Sequence, residues 1–212
     1  NLSDGRLVDY PTLLRERGPR HEAVVTAEVL ADKARGCAAA LDRLAGEIAA
    51  ARPDVVVIVG DDQRELFDAN NQPAVALYHG EEVVTNDKFG RDDAPEWVQQ
   101  MGKGYLMDDI HRFPGAPAFA MELIEHLMAQ DVDIATVAGI PDPSRAGFGH
   151  AYGFIVQRLL GDRRIPVLPL MLNTYYPPNV PSPGRAWRIG RALAAAIAQS
   201  EPDTRVAIVA SG

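Results

Sequence analysis

The sequence predicts an α/β domain: three layers, α/β/α, around a central sheet that is mostly parallel or mixed. Three observations carry this. "VVVIV", residues 55–59, is an unbroken apolar run, as expected of a strand buried on both faces. Leu30, Ala34, Cys37, Leu41, Leu44 and Ile48 recur at steps of three and four, the period of an amphipathic helix. Segments of these two kinds then alternate along the chain, which is how layered α/β domains are built.

Taken in order, residues 1–25 are polar and show no clear period. Residues 27–51 are the Ala/Leu-rich helix, broken at Pro53-Asp54. The first strand follows at 55–59 and a second at 72–78. Residues 81–109 are rich in Asp, Gly and Gln and read as irregular, an excursion more typical of a functional loop than of a plain connection. Residues 116–130 form a helix with Phe119, Leu123, His126 and Leu127 on its apolar side, and 132–139 a third strand. "IPDPSRAGFGHAYGF", residues 140–154, is a Pro/Gly-rich loop entering a helix that ends near Gly161. A fourth strand spans 165–172, a long proline-rich loop 173–184, an Ala-rich helix 185–199 and a fifth strand 205–210. The whole of 1–212 reads as one catalytic-type domain. It opens without Met and stops just beyond a strand, as a fragment lacking both ends would.

Composition narrows the function classes. A net charge of -8 argues against nucleic acid and against an anionic membrane surface, both of which need basic patches. No apolar run is long enough for a membrane span, and no signal-peptide pattern is present. The single Cys37 excludes an internal disulfide and a thiolate-rich metal site. It fits a reducing, cytoplasmic setting, and its place in the helical pattern predicts a buried, inert thiol. Neither a GxGxxG nor a Walker loop occurs.

In open α/β sheets, ligands bind beyond the carboxyl ends of the strands. Three segments leave a strand and turn polar: Asp61-Asp62-Gln63, the loop leading to His150, and Asn173-Thr174-Tyr175-Tyr176. If their strands are parallel neighbours, the segments converge. The acids have two readings. They cap a helix beginning at Arg64-Glu65-Leu66, or their oxygens bind a hard cation or a hydroxyl. His150 sits between Gly149 and Ala151 at a helix start, where the helix dipole favours the neutral imidazole that acts as a base. A histidine hydrogen-bonded in a turn is the plainer alternative. Tyr175 and Tyr176 offer walls for a flat ligand, unless the proline loop is only a rigid connection. Among the other histidines, His126 is expected to be packed, His21 and His111 lie in polar stretches, and His79 follows a strand.

Four stretches in sequence carry a family resemblance: "ARPDVVVIVGDDQRELFDANNQPAVALYHGEEV", "GHAYGFIVQRLL", "IPVLPLMLNTYYPPNVPSPGRAWRIGRALAAAI" and "RVAIVASG". Together, over about residues 27–212, they resemble the class III extradiol ring-cleavage dioxygenases. The nearest branches are the catalytic subunit of protocatechuate 4,5-dioxygenase and the gallate and 3-O-methylgallate dioxygenases. The resemblance implies a non-haem Fe(II) held by two histidines and a glutamate, with positions open for a catechol and O₂. It places His150 where the family has an acid–base histidine that acts on substrate and oxygen. Gln63 falls where the family has an iron histidine, with Asp61, Asp62 or Glu65 as substitute ligands. Asn173, Thr174 and Tyr175 are expected at the substrate, and Arg145, Arg185 or Arg188 at its carboxylate. The remaining family ligands, an upstream "SHxP"-like turn, a "GG-x-SH" turn reached only as far as Gly212 and a later glutamate, are not matched in these residues. Relatives are often multimers, so association with further copies or an accessory subunit is implied.

Two other readings compete. One is a metal-free member of the fold that binds a ligand or partner without turnover, which the glutamine at position 63 favours. The other is a hydrolase or different metal enzyme built on Asp61 and Asp62, for which the sequence offers no nucleophile elbow and no second metal-binding cluster.

Overall fold

A computed structural model describes residues 6–90, 93–200 and 203–211. Asn1 and Gly212, the two ends singled out in the sequence, lie outside the described residues. The chain divides into two compact units, Asn1–Arg43 and Leu44–Gly212, and the division falls inside a helix.

The first unit holds α1 (Tyr10–Arg17), a single 3-10 turn (Glu22–Val24) and the start of α2 (Ala27–Ala51). Asp9 caps α1 by accepting from the Thr12 N–H (2.9 Å), ahead of Pro11 in the first turn. Thr26 accepts from the Val29 N–H (3.3 Å) at the start of α2. The run of alanines gives α2 its helix propensity. Its apolar stripe, however, is not a core face: no residue of α2 is buried, and Leu30 and Leu44 are about half exposed. Cys37 is exposed, not buried. Periodicity marks the stripe but not whether anything covers it.

The second unit is the layered domain. Its elements after α2 are β1 (Val55–Asp61), β2 (Val75–Tyr78), β3 (Glu82–Val84), α3 (Glu96–Tyr105), β4 (Arg112–Pro114), α4 (Pro117–Met128), β5 (Ala135–Val137), α5 (His150–Ile155), β6 (Val167–Leu172), α6 (Pro183–Gln199) and β7 (Val206–Ala210). One π-helical turn (Val156–Leu160) extends α5 and stops at Gly161, whose φ of 57° only glycine adopts freely. The main sheet has the order β5-β2-β6-β1-β7, while β3 and β4 form a separate antiparallel pair. Strand β1 lies parallel to both β6 and β7, β2 runs antiparallel to β6, and β5 is parallel to β2. The sheet is therefore mixed.

Strand alternation sorts the two faces. Val55, Val57, Leu168 and Leu170 point into a core shared with Phe119, Leu123 and Leu127 of α4 and Ile189, Leu193 and Ala196 of α6. On the opposite face, a Cβ at Gly60 would touch Ala151 and Tyr152, so α5 packs there against bare backbone. Helices thus cover both faces, as the continuous apolar strands require.

Three expectations change. Residues 81–109 are not irregular: they contain β3 and α3. In α3, Trp97, Val98, Met101 and Tyr105 do fall at helical steps, but they are diluted by glutamines, Lys103 and two glycines, and Trp97 is exposed. Its usable signals were Pro95 before Glu96 and the late Lys103. No helix begins at Arg64, since residues 62–67 form a turn. Finally, β5 does not point the same way as β1 and β6, so the loop after it leaves from the far end of the sheet. Among the described residues, no helix is long and apolar enough to cross a membrane.

Two predictions follow from this packing. Leu170 is 2% exposed at the centre of the sheet. Leu170→Ala should lower the unfolding free energy by about 2–5 kcal/mol in chemical denaturation. At the surface, Arg205 donates from Nε and Nη2 to both oxygens of Asp54 (3.0 and 2.9 Å), linking the start of β1 to β7. This guanidinium lowers the Asp54 carboxyl from 3.8 to about 2. A depressed acid stabilises above its ordinary range and loses that contribution as pH falls towards the folded value. The advantage of wild type over Asp54→Asn should therefore shrink between about pH 4 and 2, and in high salt, because the pair is exposed.

Candidate active site

The parallel register sets the site. Asp61 at the end of β1 pairs with Leu172 at the end of β6, and Val59 pairs with Ala210 at the end of β7. The Ser211 N–H donates to Val59 O (2.8 Å). Residues 61–65, 173–176 and 211 therefore emerge at one end of the sheet. Between them lies an open cleft of about 540 Å³, lined by Asp61, Gln63, Leu172, Thr174, Tyr175 and Ser211.

Asp61 is 8% exposed. Its Oδ2 accepts from Gln63 Nε2 (3.0 Å), while among the described residues its Oδ1 is buried with no hydrogen-bond partner. A buried carboxylate oxygen left unpaired costs free energy, and in native proteins it commonly marks a ligand position. Asp62 turns inward instead. Its carboxylate accepts from the N–H groups of Arg64 (3.1 Å), Leu66 (2.8 Å) and Phe67 (3.3 Å). It is a cap, but of a turn and not of a helix. Burial raises the Asp62 carboxyl, and these N–H groups pull it back.

Glu65 completes the turn. Its Oε2 accepts from the Gln63 N–H, and its carboxyl is raised by burial, opposed by that bond, with Asp62 adding repulsion. Behind both acids stands Tyr152, fully buried. Desolvation, then Asp62, Asp61 and Glu65, hold its phenol well above its ordinary value, so it is neutral. Arg64 has a φ of 67° and lays its guanidinium over the Tyr176 ring at 4.5 Å, a cation–π contact.

His150 is the first residue of α5, as its glycine-flanked position predicts. Although the loop after β5 starts from the wrong end of the sheet, it returns: the Gly147 N–H donates to Glu65 O (3.2 Å) and the Phe148 N–H to Val84 O (2.8 Å). Asn86 Nδ2 donates to Gly147 O (3.2 Å). His150 Nδ1 thereby comes 4.0 Å from Glu65 Oε1, with the Tyr105 ring 5.7 Å away.

The remaining sequence candidates separate. Thr174 and Tyr175 line the cleft. Asn173 is buried and its amide is engaged by its own loop: Nδ2 donates to Tyr176 O (2.8 Å) and Asn179 O (3.1 Å), and Oδ1 accepts from the N–H groups of Tyr176 (2.8 Å) and Tyr175 (3.3 Å). Arg145 is exposed beside Asp142. Arg185 and Arg188 line a different groove, with Trp187 and Asp131. His79 follows β2 and so lies at the opposite end of the sheet. His126, half-buried, shares its Nδ1 with Glu122 O (2.8 Å), and His111 meets Asp108 at 2.9 Å. Glu65 and Tyr152 are the members that sequence reasoning undervalued. Glu65 follows Gln63 by two positions, and Tyr152 lies two past His150, which was the available signal.

Among the described residues, no group of three His, Cys, Asp or Glu side chains could hold an ion. Asp61 has a vacant oxygen, but the Gln63 amide already faces Asp61, so these residues do not by themselves fit a two-histidine, one-glutamate iron set.

The turn itself is testable. Asp62→Ala leaves three backbone donors without their acceptor and should destabilise by about 1–3 kcal/mol. Asp62→Asn, which keeps one acceptor oxygen, should cost less in the same denaturation experiment.

A comparison with curated proteins gives no match. A family model described as the catalytic LigB subunit of aromatic ring-opening dioxygenase matches residues 11–212. That match spans both compact units and every segment of the strand-end cleft, and the chain belongs to the LigB family of aromatic ring-opening dioxygenase catalytic subunits.

Proposed function

We propose that this chain carries the catalytic end of an extradiol dioxygenase that opens the ring of a catechol or gallate-type aromatic acid with O₂ and Fe(II). The observation that supports it best is Asp61, which lines a cleft with Leu172 and Tyr175 and whose Oδ1 is buried without a hydrogen-bond partner among the described residues. A flat ring fits between such walls, and a phenolic hydroxyl is the natural donor to the Asp61 carboxylate. The chemistry that Fe(II) would supply there is the joint activation of O₂ and the catechol. Asp61 and Gln63 are the donors this turn would offer it, short of a complete ligand set, because both Asp62 oxygens are engaged by the backbone N–H groups of Arg64, Leu66 and Phe67. His150 takes and returns the hydroxyl proton. Thr174 and Tyr175 contact the ring, while Asn173 shapes the loop that presents them. Arg64, held on Tyr176 beside the cleft, is better placed than Arg145 for the substrate carboxylate. Association with further copies or an accessory subunit belongs to the same proposal.

A second reading has one observation in its favour. Gln63 Nε2 donates to Asp61 Oδ2, as in a metal-free site that binds an aromatic ligand without turnover.

Oxygen uptake and metal analysis separate the two. With protocatechuate, gallate or 3-O-methylgallate, uptake should accompany loss of the aromatic absorbance, and His150→Ala should slow it by about 10²–10⁴-fold. Tight catechol binding by calorimetry without uptake, and iron binding gained only in Gln63→His, would establish the second reading instead.

A further inference from the structure

Helix α2 carries an apolar stripe that its own fold leaves largely uncovered. Leu30, Ala34, Cys37, Leu41, Leu44 and Ile48 follow one another at steps of 4, 3, 4, 3 and 4. That is the 3.5-residue period of a coiled-coil seam, narrower than the stripe a helix usually lays on a domain. No residue of α2 is buried. Leu30 and Leu44 are 52% and 46% exposed, Cys37 is exposed, and Leu41 and Ile48 keep part of their surface. The two flanks of the seam differ. Ala31, Ala38 and Ala45 line one, and such small side chains let a second helix come close. Arg163 Nη2 donates to Ala45 O (3.4 Å) on that side. The other flank holds Lys33 and Glu47, both exposed and, among the described residues, without an ion pair.

We propose that α2 pairs antiparallel with α2 of a second copy of this chain, about a two-fold axis that passes Ala39. A two-fold contact has to be self-complementary, and this stripe is. With Ala39 at the centre, Leu30 meets Ile48 of the second copy, Ala34 meets Leu44 and Cys37 meets Leu41, so each small residue faces a large one. Lys33 meets Glu47 of the second copy on the open flank, twice per dimer. Ala39 is also the midpoint of α2, so the two helices overlap along their whole length of about 37 Å. Parallel pairing is worse on both counts, since it sets Ala34 against Ala34 and Lys33 against Ala38. The proposal gives a definite form to the association with further copies named above, but it rests on α2 alone and not on the reaction in the cleft.

Sedimentation of the full chain tests this. Wild type should be a dimer, and Leu44→Glu should convert it to a monomer that circular dichroism shows to be folded, since Leu44 belongs to no core. Lys33→Glu should weaken the dimer roughly tenfold, because each dimer holds the pair twice. Combining Lys33→Glu with Glu47→Lys should restore it. Leu41→Cys should, on oxidation, link two copies through Cys37 of one and the introduced thiol of the other. Wild type should not cross-link, because its two Cys37 residues lie in different layers of the seam. A monomer up to millimolar concentration, a dimer that survives Leu44→Glu, or a charge exchange that fails to restore it overturns the proposal. Oxygen uptake decides the ring-opening reading separately, and its failure leaves these masses unchanged.

Discussion

The parallel pairing of β1 with β6 on one side and β7 on the other governs the rest of the structure. It buries Val56, Val57 and Ile58 completely, so β1 tolerates no polar group until its last residue. It also brings the carboxyl ends of three strands to one level, with Asp61 beside Leu172 and Val59 beside Ala210. Polar side chains released at that level have only each other, the cleft and the backbone as partners. Asp61 and Asp62 diverge there because the strand ends between them: Asp61 lines the cleft, and Asp62, one residue past β1, holds a turn by three backbone N–H groups. Two adjacent acids therefore have different tasks.

Charge at this end is arranged asymmetrically. Asp61, Asp62, Glu65 and the neutral Tyr152 gather in little space, while Arg64 is turned outward onto Tyr176. Burial raises the carboxyl groups of Asp62 and Glu65, and at Glu65 the neighbouring Asp62 adds repulsion. Such a site favours ligands that bring hydrogen-bond donors or positive charge. A phenol meets the first requirement and a metal ion the second. The family membership of the chain is consistent with both, and the fold alone would support many other chemistries.

Much of this was legible in the sequence. The β-branched run at 55–59, the Ala-rich helices and the glycine before His150 each impose their local structure, and each element lies within a few residues of its expected place. What could not be seen is non-local. The direction of β5 depends on which strand it pairs with, not on its own three residues. The exposure of Cys37 and Leu30 depends on what packs against α2, which periodicity does not encode. The engagement of the Asn173 amide by Tyr176 and Asn179 is a property of the folded loop. Glu65 was hidden because its partners are the backbone at Gly147 and the ring of His150, both distant in sequence.

The reversal of β5 has a consequence for how this chain can vary in length. The connection from Val137 to Gly147 must climb back along the sheet to reach Glu65. The six residues of β6 mark a height of about 20 Å. About ten residues, fully extended, reach only some 35 Å. The surplus of about 15 Å is taken up in the turn at Asp142, whose O accepts from the Arg145 and Ala146 N–H groups (3.1 Å each): added residues would bulge into solvent, and a short deletion would straighten this turn before it drew His150 away from the acids.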